Sequence, residues 1–155
     1  MTRSPLLMFG AALLTSAAIA QQPAPATAAA SMATSAPAPA AMHAEVYLIA
    51  PKDGAHVHAP VTVRFGLKGM GIAPAGVKFD NTGHHHLLVD TALSDVKMDA
   101  PLPASDKILH FGKGQTETEL KLAPGKHTLQ LVFADYLHVP LSPAVTSKQI
   151  TITVD

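Results

Sequence analysis

Nine histidines stand in this 155-residue chain, and three of them, His84, His85 and His86, follow one another inside NTGHHHLLVD (81–90). Histidine is the side chain most used for metal ligation and for proton transfer near neutral pH. Successive side chains of a strand point to opposite faces, so His84 and His86 share one face with Leu88 and Asp90, and His85 shares the other with Leu87 and Val89. The run therefore offers a His-x-His pair. Two neutral imidazoles from one strand begin a site that suits Zn²⁺, Cu²⁺ or Ni²⁺ at low entropic cost. His110 and His138 are the candidates to complete the set. Asp80, Asp90 and Asp135 are candidate carboxylate ligands, or partners that fix the imidazole tautomers. Met70 adds a soft thioether that tilts the choice toward copper over zinc.

A different chemistry fits the same residues. Histidines at strand starts hydrogen-bond loop carbonyls, each bond contributing about 1 kcal/mol net, which would make them architectural parts of an envelope module that binds a protein or a glycan. An enzyme has less behind it: the chain carries no recognised nucleophile motif, and HFGKGQTE is too short to argue general acid–base chemistry. The reading is thus of a binding or carrier protein rather than a catalyst.

The elements that must position these histidines begin after residue 42. Arg3, the apolar run Leu6 to Ile19 and Ala18-Ile19-Ala20 before Gln21 form a secretory signal over 1–20. A run of about 14 residues at ~1.5 Å each is short for a membrane span. A periplasmic or secreted protein without stable membrane insertion after cleavage is expected. Residues 21–42 carry no charge and are dominated by Ala, Pro, Ser and Thr, a disordered spacer in which the prolines break any alanine helix. No cysteine occurs, which excludes disulfides and thiolate ligands. Without Arg3 the charge is near −1, so nothing draws nucleic acid or anionic lipid electrostatically.

Residues 43–155 alternate as strands do. Val61, Val63, Phe65 and Leu67 interleave with Thr62, Arg64 and Gly66, and Ile150, Ile152 and Val154 interleave with Gln149, Thr151 and Thr153. PKDG, GKGQ and APGK mark turns. Strands are also expected at 46–50, 84–89, 107–111, 118–122 and 128–133, without a helical window. The fold class is all-β: an immunoglobulin-like antiparallel β-sandwich of about seven strands, with a small Greek-key barrel as the alternative. In LAPGKHTLQL, His127 occupies the place of a corner tyrosine, its ring bonded to nearby backbone. Alternating strand directions gather His84, His110 and His138 at one end, with His86 roughly 7 Å further along its strand. His56, His58 and His127 fall at the other end, His56 and His58 in a solvated loop.

Together, NTGHHHLLVD, HFGKGQTETEL, APGKHTLQLVFAD and SKQITITV resemble an exported bacterial family of single-domain proteins known as a domain of unknown function, over almost the whole segment from Val46 to Val154. The resemblance implies a β-rich domain of the periplasm or cell envelope in which His84, His85, His86, His110, Gln115, Glu117, His127 and His138 occupy motif positions, and it implies no activity. Family members commonly carry a further histidine in an H-x-P-H pattern after the position of His138; here Leu141 stands in that place.

Overall fold

A computed structural model describes residues 43–155, and the expected signal peptide (1–20) and spacer (21–42) lie outside the described residues. In chain order the strands are β1 (Glu45–Ala50), β2 (His56–Val57), β3 (Val61–Lys68), β4 (Gly71–Ile72), β5 (Thr82–Val89), β6 (Ile108–His110), β7 (Glu117–Leu120), β8 (Gly125–Ala134), β9 (Pro140–Thr146) and β10 (Ile150–Val154). One sheet runs β1-β3-β7, wholly antiparallel. The other is built on the antiparallel spine β10-β8-β5. Strand β6 pairs with the free edge of β5, and β9 continues the edge of β8 beyond β10. The result is the expected all-β sandwich. No helix among the described residues is long and apolar enough to cross a membrane.

Period-two patterning explains the core. Val61, Val63 and Phe65 of β3 are buried while Thr62 and Arg64 are exposed, and they meet Leu129, Leu131 and Phe133 of β8 and Ile150, Ile152 and Val154 of β10. Burying each such side chain contributes about 1.5–3 kcal/mol. The seven expected strands are β1, β3, β5, β6, β7, β8 and β10. The others depart from a purely antiparallel seven-stranded sandwich, because β2 and β4 add short parallel pairings to β10 and β5. Strand β9, PLSPAVT, reads as a connection in the sequence, since Pro140 and Pro143 cannot donate to a ladder. It is tolerated because prolines fit an edge strand, here paired to β8.

One further departure matters for the site. An immunoglobulin-type arrangement keeps its fourth strand with the first, second and fifth, whereas here the fourth of the seven expected strands, β6, crosses to pair with β5. That crossing sets His110 directly opposite His86 in register.

At the opposite end, His127 forms the expected corner. Its Nε2 donates to the Ala123 carbonyl at 2.9 Å and its Nδ1 to Asp90 Oδ2 at 2.7 Å. Both partners only accept, so satisfying both ring nitrogens requires the charged imidazolium. The Asp90 hydrogen bond, supported by the Ala123 carbonyl and the Asp90 charge against partial desolvation, raises the His127 pKa above 6.5. A raised folded-state pKa makes this contribution complete below about 6.5 and lost as pH rises through the folded value. His127→Ala is expected to cost about 1–2 kcal/mol at pH 6, Asp90 being partly solvent-screened. Denaturant melts of both proteins at pH 6 and pH 9 check this, and a gap no smaller at pH 9 would contradict it.

Candidate metal centre

Strand β5 lies between β8 and β6 and is covered on both faces, which is why TGHHHLLV does not read as a half-buried alternation. Its inner face presents His85, Leu87 and Val89 to the inter-sheet core. Its outer face, with His84, His86 and Leu88, lies beneath the connection 91–105, whose Val96 and Leu102, helped by Leu93 and Met98, pack on Leu88, Val132 and Ala134. All three histidines of the run are consequently 0 % exposed. Gly83 admits the chain to this position, since a Cβ there would collide with the Ala134 carbonyl oxygen.

Four imidazoles meet on the outer face: His84 and His86 from β5, His110 from the end of β6, and His138 from the turn between β8 and β9. Ring centroids are 5.0 Å apart for His84 and His86, 4.9 Å for His84 and His110, and 5.1 Å for His84 and His138. His110 stands 5.0 Å from His86 and 4.7 Å from His138, and the longest separation, His86 to His138, is 6.0 Å. His84 Nε2 and His86 Nε2 share a hydrogen bond of 3.2 Å. Each of His84, His110 and His138 offers a ligand atom within 4.8 Å of the others. Metal–nitrogen bonds of about 2.0–2.1 Å put tetrahedral ligand atoms roughly 3.4 Å apart. The ligand atoms of His84, His110 and His138 thus converge at up to 4.8 Å, wider than a tetrahedral seat, and His86 joins them through its ring contacts with His84 and His110.

The electrostatics fit neutral rings. Burial, then the charges of His110 and His138, lowers the His84 pKa to about 4, with Asp135 opposing. Burial and the neighbouring imidazoles lower His86 to about 3, and burial followed by His138 lowers His110. Neutral imidazole is the ligating form. Beyond the His84–His86 bond, His84 Nδ1, His86 Nδ1 and His110 Nε2 are buried without a hydrogen-bond partner among the described residues. Each such orphan costs about 1–3 kcal/mol.

The supporting residues sort differently from the sequence expectation. Asp90 does not share the imidazole face: it leaves β5 at φ 50 and turns its carboxylate to His127 and the Thr128 amide at the other end. The backbone reverses there, so strand alternation no longer applies. Asp80 is exposed. Asp135 Oδ1 accepts the amides of Leu137 at 2.8 Å and Val139 at 2.9 Å. Met70 packs against the inter-sheet core, as does Leu141. Gln115 accepts the Lys113 amide, Glu117 pairs with Arg64 on the surface, and His56 pairs with Asp155. His58 is exposed.

One residue that holds the site escapes a reading of the sequence. It is Gly112, because a Cβ there would run into Cε1 and Nε2 of His110; its signal was a glycine two positions past a histidine. His85 takes the inner face, as strand alternation predicts. Wedged between Phe65 at 5.3 Å and Phe133 at 5.2 Å, with both ring nitrogens unpartnered among the described residues and its pKa lowered to about 4 by burial and then His84, it belongs to the core and not to the outer cluster.

No curated protein and no solved structure matches the chain. The model of the family described as Domain of unknown function (DUF4399) matches residues 63–155, the span that carries β5, β6, the turn bearing His138 and the corner at His127, and the chain belongs to that family.

Proposed function

We propose that this is a histidine-based transition-metal binding or carrier protein of the periplasm or cell envelope, taking copper or zinc at His84, His86, His110 and His138. The observation that carries the reading is the packing of four imidazoles, three of which, His84, His86 and His110, have a buried ring nitrogen lacking a partner among the described residues. Buried polar groups are normally satisfied, and a cluster of orphans of one chemical kind is explained by a ligand they share. An all-nitrogen set suits Zn²⁺, Cu²⁺ or Ni²⁺ over the hard cations that prefer oxygen. Four protein ligands would fill a tetrahedral shell, as in closed sites and unlike catalytic ones that keep a position open. The test is equilibrium dialysis of the purified protein against Zn²⁺ and Cu²⁺ with elemental analysis. About one equivalent retained, with Mg²⁺ and Ca²⁺ excluded, is the expected result, and no retention of any of these ions would end the metal reading.

A second reading has its own observation. Phe79, Leu137 and Val77 are 73 %, 53 % and 50 % exposed, and the loop bearing Val77 and Phe79 is tied to the turn bearing Leu137 by Gly76 N–H donating to the Tyr136 carbonyl at 2.9 Å. Exposed apolar side chains on adjoining loops suit an interaction module for a protein or glycan. In that case added metal leaves the melting temperature where it was.

A further inference from the structure

Three of the four clustered imidazoles come from strands, whose ladders fix their direction. His138 alone comes from a turn, and its backbone stands at φ 69, in the left-handed region that side-chain-bearing residues seldom occupy. A non-glycine residue held there is over-determined by its surroundings, and here those surroundings can be named. The amides on either side of it, Leu137 and Val139, both donate to Asp135 Oδ1. Its own amide donates to the Asp135 carbonyl at 3.0 Å, and the Asp135 amide donates to the Val139 carbonyl at 2.9 Å. From the connection 91–105, the Leu102 amide donates to the His138 carbonyl at 2.9 Å. Every bond of this clamp except the last passes through Asp135.

We infer that Asp135 is the positioning residue of the four-histidine seat: its carboxylate closes the turn that aims the His138 ring at the other three imidazoles. The inference rests on the metal-binding reading above. Asp135 lies outside the converging ligand atoms of His84, His110 and His138. One of its oxygens is committed to two backbone amides, and what it supplies is the φ and the direction of its neighbour three residues on. An aspartate initiating a turn by bonding the amides that follow is ordinary loop chemistry; what is particular is that the residue inside this turn is a ligand.

Geometry and charge are separable by substitution. Asp135→Asn keeps an acceptor oxygen at the same reach and drops the charge, while Asp135→Glu keeps the charge and moves the acceptor by one methylene. Zn²⁺ affinity of the full chain, measured by competition with a chromogenic chelator, is expected to stay within about threefold of wild type in Asp135→Asn. It is expected to fall about 10–100-fold in Asp135→Glu and Asp135→Ala, the loss typical of removing a group that orients a ligand. In a His138→Ala background the Glu substitution should change affinity by less than about twofold, because the ring it would misdirect is gone. A general weakening of the fold would persist in that background, so the double variant separates aim from stability. If Asp135→Ala fails to fold, the ranking of Asn over Glu decides. Equal affinity of Asp135→Glu and wild type, an Asn variant as weak as the Glu variant, or a Glu effect undiminished without His138 would each overturn the role. A wild-type protein that binds no Zn²⁺ removes the metal reading and this role together, whereas a binding wild type with indifferent Asp135 variants removes the role alone.

Discussion

Replacing His84 and His86 together by alanine is expected to abolish stoichiometric uptake of Zn²⁺ or Cu²⁺, with affinity falling by more than the 10–100-fold that loss of an outer partner costs. The two rings are the fully buried half of the set and sit on one strand, their Nε2 atoms 3.2 Å apart. Without them only His110 and His138 remain, and two imidazoles do not make a closed seat. An ion that binds only the folded state stabilises it by about 2.7 kcal/mol at a hundredfold excess over Kd. For a domain of this size that is a rise in Tm on the order of 10 °C. The double variant should lose the rise. Calorimetric titration and paired melts with and without metal check both, and a variant that still takes up one equivalent and melts higher with it would exclude these ligands. If the histidines are architectural, the double variant shows only a lower Tm, indifferent to metal.

The second large effect is acid destabilisation. The folded protein holds His84 and His85 at pKa values of about 4 and His86 at about 3, in each case chiefly because burial penalises the charged ring. In the unfolded chain these rings take a proton near 6.5. The stabilisation from keeping them neutral is therefore complete above about pH 6.5 and is lost as pH falls toward 4, where the unfolded state binds protons that the folded state refuses. Each group contributes a slope of about 1.4 kcal/mol per pH unit in that window, so three give up to about 4 kcal/mol per unit. Against a typical domain stability of about 5–15 kcal/mol, unfolding between pH 5 and 4 is the expected outcome. His127 does not counter this, since its contribution is already complete below its unfolded value. Urea melts at pH 7, 6 and 5 measure the slope, and His85→Leu should flatten it by about a third while leaving the outer cluster in place. Stability unchanged between pH 7 and 5 would contradict the burial of these rings.

Much of the site follows from local rules. Alternation in β3, β8 and β10 needs no long-range information, because side chains on a strand point to opposite faces and the buried face must be apolar. The corner at His127 is similarly local, a turn followed by a ring within reach of its own upstream carbonyl. The alternation of His84 and His86 against His85 is the same rule at work, and the side of β5 each ring takes agrees with it.

What the order of residues determined by itself, then, is an all-β domain, a His-x-His pair on one face of a strand, and the end of the sandwich at which His110 and His138 had to arrive. Tertiary structure alone decided that β6 would leave the first sheet and lie against β5, that the connection 91–105 would seal the outer face and drive the rings out of water, and that Asp90 would serve His127. The physical reason is range. Periodicity and turn chemistry act over a few residues, whereas edge pairing, face covering and the choice of a carboxylate's partner are settled between segments tens of residues apart, by whichever contacts leave the fewest buried groups unpaired.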